Sequence, residues 1–452
     1  MSSATPSDPE RTDPAGRAHS LRGASGLILL AQVAGNVGFF VAVLVLARTL
    51  DPHDRGLIAF VISVALILPR VFELGIGNAT TVLVAQRGPE RRSALTNALL
   101  FSLGVAAFGS LLSALLLGVA DIGPALDRGI LAVLAVGILG NALLDCAYAF
   151  LLGVGFLRPW TLVASISPWL YATAAIVLAA AGELTVFRAL LAWSLTHLAW
   201  GIAAISASAW RSGFGRPQLR LFRDALSLGL RAWVGSLSRF LNFRLDQVIL
   251  GLIATQATLG VYAVAVNLSE VALYVPGAVV TAAVPAIARV RPEDRPDSTL
   301  AIYRPMLVVT AAIVAAGALI GTPLLPVVFG DPYSGSVTPY LWLLPGALGF
   351  VTTGVFGAAL LTSRRPLLSS AGQLTSLVVG VALDFALIPT FGAGGAAAAA
   401  TVAFCAGGAV AAVAFSRVSQ VPLRDLLPRR ADVGAAVALV TGLARALRSR
   451  AR

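Results

Sequence analysis

Apolar segments of membrane-spanning length follow one another along almost the whole chain, and this succession limits what the chain can fold into. A transmembrane helix needs about 20 apolar residues. Twelve such segments occupy residues 25–47, 57–84, 94–119, 129–152, 160–181, 187–209, 225–252, 259–286, 306–329, 337–361, 367–389 and 395–416. Only 12% of the 452 residues are charged. Because open sheets cannot satisfy their backbone groups in lipid, the segments predict an all-α polytopic membrane protein with about 12 transmembrane helices.

The polar residue types exclude several kinds of chemistry. All 33 basic residues are arginines, so the chain lacks the lysine of a phosphate-binding Walker loop and of Schiff-base catalysis. Cys146 and Cys405 lie in apolar segments and the three histidines are scattered, which predicts no metal site and no cofactor. Transport would then depend on an ion gradient or the membrane potential. No feature of the sequence indicates a nucleic-acid partner.

The arginines predict the orientation in the membrane. Twenty-five of them fall in loops and tails on the side of the N-terminus, and only four fall in the loops on the opposite side. The positive-inside rule therefore predicts that both termini are cytoplasmic. Residues 1–24 are polar, which predicts a disordered cytoplasmic tail. Residues 417–452 form a basic tail, in which Val433 to Ala444 is too short to span and predicts an interfacial helix.

Two halves of the chain resemble each other. Aligning Gly56 with Gly260 also pairs the arginines and acids that follow the second and eighth segments, and LLGVGFLRP at 151–159 resembles LLTSRRP at 360–366. Both halves begin on the cytoplasmic side, which predicts parallel repeats related by a pseudo-twofold axis along the membrane normal, with a central cavity between them. The predicted units are two six-helix bundles, residues 25–209 and 225–416, joined by a cytoplasmic linker at 210–224.

Five segments in this order resemble the bacterial polysaccharide flippases of the multidrug/oligosaccharidyl-lipid/polysaccharide exporter superfamily. They are LARTLDPHDRGLIAF, FELGIGNATTVLVAQ, FRLDQVILGLIATQATLGVYAVAVNLSE, FGDPYSG and LIPTFGAGGAAAAATVA. The resemblance implies alternating access and flipping of undecaprenyl-diphosphate-linked oligosaccharides to the outer leaflet of the bacterial cytoplasmic membrane. It also implies that glycosyltransferases and a polymerase of the same pathway are partners, and we expect a monomer.

Charged residues inside the predicted spans are the candidate functional residues, because a charge in lipid is costly. On a helix that turns about 100° per residue, small and polar residues of segment 225–252 share one arc; these are Arg231, Gly235, Ser238, Arg239, Asn242 and Asp246. We predict that this arc lines the cavity. A guanidinium binds phosphate oxygens bidentately, so Arg239 is predicted as the main diphosphate contact, with Arg231, Arg244 and Asn242 as further contacts.

Other interpretations of these arginines remain open. Arg239 would be purely structural if it paired with Asp246 or with Asp145. Arg231 and Arg244 are near enough to the ends of the span to reach the headgroups by snorkelling. Asn36, between Gly35 and Gly38, is a candidate sugar contact or a residue of ordinary helix packing.

The acids in the spans are candidates for ion coupling or gating. Arg70 and Glu73 are three residues apart on one helix and can neutralise each other. Asp145, Glu270 and Asp384 could each bind a proton or Na⁺, and Asp246 is the first choice because it shares the arc of Arg239.

Two other functions compete with the flippase. A drug or small-cation exporter of the same superfamily is expected to have a net acidic cavity. In this chain the arginines inside the spans are clustered on segment 225–252, which favours an anionic substrate. A membrane glycosyltransferase or polymerase needs positioned carboxylates near a sizeable extracytoplasmic loop. The outer loops are short and their acids mostly single, so we do not expect an enzyme.

Overall fold

A computed structural model describes residues 33–86, 88–120, 122–438 and 441, and no strand occurs among them. The helices are α1 (Val33–Thr49), α2 (Pro52–Phe72), α3 (Ile76–Gln86), α4 (Arg91–Ser113), α5 (Arg128–Val154), α6 (Leu157–Ala180), α7 (Val186–Ser212), α8 (Leu219–Leu241), α9 (Leu245–Ile253), α10 (Gln256–Val271), α11 (Tyr274–Ala288), α12 (Arg295–Phe329), α13 (Val337–Leu343), α14 (Gly346–Thr362) and α15 (Pro366–Ser419). We call α1–α7 the N-terminal half and α8–α15 the C-terminal half. The predicted all-α class is confirmed.

The helices agree in position with the twelve predicted spans. Seven helices of the described part are long and apolar enough to cross a membrane, and nine spans result when the bent pairs α10–α11 (54°) and α13–α14 (42°) are each counted once. The remaining predicted spans correspond to α1, of which 17 residues are described, to the broken pair α8–α9, and to the division of α15 at Gly392. Gly392 has a φ of 52°, which only glycine adopts readily.

Equivalent helices of the two halves begin in the same way. The Asp51 side chain caps α2 by accepting a hydrogen bond from the amide of Asp54 at 2.8 Å. The Thr255 hydroxyl caps α10 by accepting one from the amide of Thr258 at 3.2 Å. Side-chain oxygens at this position satisfy amides that the first helical turn leaves free. The two caps lie 204 positions apart, which is the spacing of the predicted repeat.

The N-termini of α2 and α10 cross at the two glycines that align the repeat. A Cβ atom on Gly56 would lie 1.8 Å from the carbonyl oxygen of Gln256, and one on Gly260 would lie 1.8 Å from that of Pro52. The contact is reciprocal, as expected where a twofold axis relates two elements. We call this contact the Gly56–Gly260 crossing; it brings the two backbones together at the end of the molecule predicted to be outside.

A second pair of crossings repeats within the halves. A Cβ on Gly201 of α7 would lie 3.0 Å from the carbonyl oxygen of Gly140 of α5. A Cβ on Gly408 of α15 would lie 3.1 Å from that of Gly349 of α14. Small residues let helix backbones approach closely in membranes, and these glycines recur about 208 positions apart.

The similar segments 151–159 and 360–366 also form matching turns. Gly155 follows α5 with a φ of 78°, and Arg364 follows α14 with a φ of 59°. In each turn the next amide donates to a carbonyl five residues back, that of Leu151 at 2.9 Å or Leu360 at 3.0 Å. This is the left-handed end of a helix that a Schellman motif produces, placed at equivalent points of the two halves.

The two tails are described only in part. Residues 1–24 and the beginning of the first predicted span lie outside the described residues. In the C-terminal tail, residues 430–438 are helical. Ala436 is buried against the C-terminal half, while Val433 and Val437 are exposed. The interfacial helix therefore stays a prediction.

Candidate functional site

An arginine with two acids lies where the second span breaks in the N-terminal half. The Arg70 guanidinium is 2.6 Å from a carboxylate oxygen of Asp145 on α5 and 3.7 Å from one of Glu73. The helix ends just beyond, where Leu74 and Gly75 have φ values of 49° and 74°. The predicted pair of Arg70 and Glu73 therefore forms, and Asp145 is an additional partner from a neighbouring helix.

This cluster also contacts the C-terminal half through α8. The Arg70 guanidinium lies over the ring of Phe240, 5.5 Å from its centroid. The indole N–H of Trp233 donates to the Arg70 carbonyl oxygen at 3.4 Å. Two aromatic side chains of one half thus contact the charged cluster of the other, and this contact could not be predicted from the sequence.

A small, largely apolar cavity adjoins this cluster inside the N-terminal half. Its lining includes Glu73 and Asp145, together with the hydroxyls of Thr80 and Ser102 and the thiol of Cys146. The remaining lining is apolar, so the two carboxylates are the groups that could respond to a proton or a cation there.

The prediction of one continuous helix over 225–252 is wrong, because the helix is interrupted at residues 242–244, between α8 and α9. Asp246 lies beyond the break and lines two cavities together with Asn242, whereas Arg239 lines neither of them. At the break, Arg244 pairs with Glu270 of α10 at 2.6 Å. Asp246 accepts hydrogen bonds from the Tyr262 hydroxyl and, at 2.7 Å, from the Gln247 amide.

Two cavities flank this break inside the C-terminal half. One is lined by Asn242, Asp246, Ser269 and Glu270 among apolar residues of α10, α13, α14 and α15. The other shares Asn242 and Asp246 and adds Asp384 of α15. Asp384 is only 4% exposed, and its Oδ1 atom has no hydrogen-bond partner in the described part of the protein. Asp246 thus lies between two cavities, with an unsatisfied second carboxylate in one of them.

The surroundings of α8 define which way Arg239 points. A Cβ on Gly235 would lie 2.5 Å from the Ser370 hydroxyl of α15, and one on Gly229 would lie 2.7 Å from the carbonyl oxygen of Gly75. At about 100° per residue, Arg239 projects between these two contacts, toward the space between α15 and the N-terminal half. Leu230 is 44% exposed and lies about 180° away on the helix, which is the position expected for a lipid-facing residue.

Arg239 also has no counter-charge among the residues that the structure describes. Its side chain is exposed and forms neither an ion pair nor a hydrogen bond with any residue that the structure describes. The alternative pairs with Asp246 and Asp145 do not form, because Tyr262 binds one acid and Arg70 the other. Arg239 is therefore an available cation between the halves.

The other predicted substrate contacts are placed differently. Asn242 donates to the Gln373 carbonyl oxygen of α15 at 3.0 Å, and Arg244 is occupied by Glu270. Arg231 is exposed nearer the start of α8. Asn36 is partly buried on α1, whose neighbouring Gly35 would place a Cβ 2.8 Å from the Ala164 carbonyl oxygen of α6, as close helix packing requires.

One group of possible metal ligands occurs at the start of α2. Oxygen or nitrogen atoms of Asp51, His53 and Asp54 lie within 4.8 Å of one another. Asp51 is at the same time the cap of α2, and the group is largely exposed. The cap explains the position of Asp51 without a metal ion.

Comparisons with known proteins agree with this architecture. The family model described as polysaccharide biosynthesis protein matches residues 21–291, more than half of the chain. A sequence comparison with curated proteins gave no match. Several solved structures are similar, among them an inward-facing multidrug resistance MATE family transporter of the MOP superfamily, with a TM-score of 0.67, 14% identity and coverage of 86% of this chain and 95% of that chain.

Two further structures extend the comparison. The lipid II flippase MurJ in an inward closed conformation aligns with a TM-score of 0.69 and 13% identity, over 93% of this chain and 92% of that one. An outward-facing MATE family transporter of the MOP superfamily aligns with a TM-score of 0.58 and 14% identity, over 89% of this chain and 96% of that one. At these identities the likeness establishes the fold.

The fold is that of the MOP-superfamily membrane transporters and flippases, and the helices are those of a multi-pass membrane protein. Within this class the chain belongs to the polysaccharide biosynthesis protein family.

Proposed function

We propose that the protein flips undecaprenyl-diphosphate-linked oligosaccharides from the inner to the outer leaflet of the bacterial cytoplasmic membrane by alternating access of its two halves. The observation that carries this proposal is Arg239, an exposed arginine that has no counter-charge in the described part of the chain and lies on α8 between its contacts with α15 and with Gly75. Both termini are cytoplasmic in this proposal, because the arginine-rich loops then face inward.

An anionic lipid headgroup accounts for an unpaired arginine at this place. A charge inside a membrane protein is costly unless it is paired or faces a cavity. A guanidinium keeps its charge and offers a planar fork of donors that matches two phosphate oxygens. A diphosphate would thus supply the missing counter-charge during transport, whereas a cationic drug would be repelled by Arg239.

The acids are proposed to couple transport to an ion gradient. Asp246 and Asp384 line one cavity of the C-terminal half, and Asp384 has an unsatisfied oxygen there. A proton or a small cation would satisfy both carboxylates. We assign Arg70, Glu73 and Asp145 to gating, because their cluster contacts α8 of the other half, and Glu270 to holding Arg244.

The domain limits follow the two halves, with bundles at 25–209 and 225–416, a cytoplasmic linker at 210–224 and basic or polar tails at both ends. The structure has α8 begin at Leu219, inside this linker. The protein acts as a monomer, next to glycosyltransferases and a polymerase of the same pathway.

The test uses purified protein in proteoliposomes and a fluorescent undecaprenyl-diphosphate oligosaccharide whose outer-leaflet fraction is bleached by an impermeant reductant. Each charge-assisted hydrogen bond contributes about 1.5–3 kcal/mol, so Arg239→Ala should weaken apparent affinity by about 10- to 100-fold. Arg239→Lys should recover only part of this loss. Arg220→Gln, a charge-removing change about five turns earlier on α8, should behave as wild type.

Two results would overturn the assignment. Since Arg239 and Asp246 do not pair, Arg239→Ala combined with Asp246→Ala should stay inactive, and recovery in the double variant would make Arg239 structural. The second candidate function is a cation-coupled drug exporter, which the unsatisfied Asp384 would suit. Efflux of a cationic dye without any flipping of the lipid would establish that function instead.

A further inference from the structure

A second arginine that has no counter-charge among the described residues lies at the Gly56–Gly260 crossing. Arg55 precedes Gly56 on α2 and is only 4% exposed. Its Nε atom has no hydrogen-bond partner, and it forms no ion pair with an acid in the part of the chain that the structure describes. Burial here is a consequence of the crossing, because the backbones of α2 and α10 are in contact on one side of it.

The groups around Arg55 come from both halves. Its titratable neighbours are the phenols of Tyr171 on α6 and Tyr333 in the loop between α12 and α13. The Tyr171 hydroxyl is itself buried without a partner, and the Tyr333 hydroxyl donates to the Leu50 carbonyl oxygen at 3.0 Å. Neither phenol supplies a negative charge, and the nearby carboxylates of Asp51 and Asp54, which both act on Tyr333, form no ion pair with Arg55 among the described residues.

Two other arginines at this end of the molecule differ from Arg55. Arg188 pairs with Glu183 at 2.7 Å and is well exposed. Arg48 donates to the carbonyl oxygens of Val327 and Val328. Both arginines have hydrogen-bond or ion-pair partners, as polar groups in proteins normally do. The Arg55 Nε atom without a partner is therefore specific to the crossing and not common to the arginines at this end of the molecule.

The charge of Arg55 cannot be removed by losing a proton, because arginine stays protonated in proteins. Its burial therefore opposes closure of the crossing, and hydration or an anion would relieve the cost. Because Tyr333 belongs to the C-terminal half and Arg55 to the N-terminal half, separation of the halves at this end opens the arginine to the passage between them.

We propose that Arg55 is the phosphate-binding residue of the outward-open state, which receives the diphosphate after Arg239 and favours the open form of the Gly56–Gly260 crossing while the anion is bound. This inference rests on the proposed function, because the anion is the diphosphate of the transported lipid. Arg239 would then hold the headgroup in the middle of the passage, and Arg55 would hold it near the exit.

The experiment measures opening of the crossing with a reporter cysteine. Ala59 lies one turn beyond Arg55 on α2 and is buried, so Ala59→Cys should react with an impermeant thiol reagent only when the crossing opens. The background is the full-length protein with Cys146→Ala and Cys405→Ala, in proteoliposomes of known orientation. The probes are undecaprenyl diphosphate without sugar and, separately, inorganic pyrophosphate on the outer side.

With Arg55 present, each probe should raise the labelling rate by about fivefold or more, a typical size for coupling between binding and conformation. Arg55→Gln should lower labelling without a probe, because the buried charge is gone, and should abolish the response. Arg55→Lys should keep part of the response, so the proposal is tested even if Arg55→Gln does not fold. Arg188→Gln is the matched control and should respond as the parent does.

Each outcome separates this inference from the proposed function. If the parent flips the lipid but Arg55→Gln and Arg55→Lys respond to both probes as the parent does, Arg55 does not bind phosphate and only this inference fails. If Arg55→Gln labels faster without a probe, Arg55 holds the crossing closed and the inference fails as well. If the parent does not flip the lipid, the proposed function fails, and an Arg55-dependent response to pyrophosphate would still establish the anion site.

Discussion

The N-terminal and C-terminal halves share the same helix starts, turns and glycine crossings, but they differ in where their spans break. In the N-terminal half the second span breaks, at Leu74 and Gly75. In the described part of the C-terminal half three spans break: the second, between α10 and α11, as in the N-terminal half, and also the first, between α8 and α9, and the fourth, between α13 and α14. The first span is continuous over Val33–Thr49, whereas its equivalent in the C-terminal half is interrupted at 242–244.

The distribution of charge follows this difference. In the N-terminal half the acids Glu73 and Asp145 both contact Arg70. In the C-terminal half the broken spans place Asp246 between two cavities and leave Asp384 with an unsatisfied oxygen. Interrupted helices expose polar groups inside a membrane protein and commonly form its ion sites. The repeat thus supplies the scaffold, and the breaks in one half supply the groups that can change their charge state.

The largest expected effect comes from variants that test whether the two halves are equivalent at the Gly56–Gly260 crossing. Gly56→Leu and Gly260→Leu should each lower transport by at least about 100-fold, because overpacking at a backbone contact forces the helices apart. Both positions would place a Cβ 1.8 Å from a carbonyl oxygen, so the two losses should be similar. Flipping in proteoliposomes and protein yield are the measurements.

Gly277→Leu is the control for this comparison, since a Cβ at Gly277 on α11 meets no atom within 4 Å. It should transport normally. Full activity of Gly56→Leu beside inactive Gly260→Leu would mean that the crossing is not a contact between equivalent elements.

A smaller effect tests the contrast between the paired and the unsatisfied acid. Asp145→Asn breaks a pair with Arg70 that is only partly exposed, and should lower the free energy of unfolding by about 1–3 kcal/mol. Asp384→Asn removes a carboxylate with an unsatisfied oxygen, so it should leave stability unchanged or raise it while transport loses its dependence on the ion gradient. Denaturation in detergent and flipping with and without a gradient measure the two effects.

The contrast would be reversed if Asp384→Asn proved the more destabilising change. The same holds if Asp145→Asn, and not Asp384→Asn, removed the dependence on the gradient, because coupling would then belong to the N-terminal half.

The smallest effect concerns the equivalent turns after α5 and α14. Gly155 and Arg364 both have a positive φ, which costs a residue with a side chain about 1 kcal/mol. Gly155→Ala should therefore destabilise the protein by about 1 kcal/mol, and Arg364→Gly should stabilise it by up to about 1 kcal/mol. No atom lies within 4 Å of a Cβ at Gly155, so steric clash does not contribute. Thermal unfolding in detergent measures both; shifts of the same sign would mean that the turns are not equivalent.

The amino-acid sequence by itself determined the number and order of the apolar segments, the all-α class and the repeat at Gly56 and Gly260. These properties depend on segment length and on residue spacing along the chain. The repeat was visible in the sequence because Gly56 and Gly260 lie at one contact between equivalent helices. At both positions a Cβ atom would lie 1.8 Å from a carbonyl oxygen, so both require glycine.

Only the tertiary structure decided which charges are paired. The sequence allowed Arg239 to pair with Asp246 or Asp145, but Asp145 lies beside Arg70 and the break at 242–244 turns Asp246 toward Tyr262. Partners from different helices are set by how those helices pack, and a break of a few residues changes the direction of every later side chain. For this reason the sequence could indicate Arg239 as a candidate, whereas the packing of α8 against Gly75 and α15 decided that it has no counter-charge among the described residues.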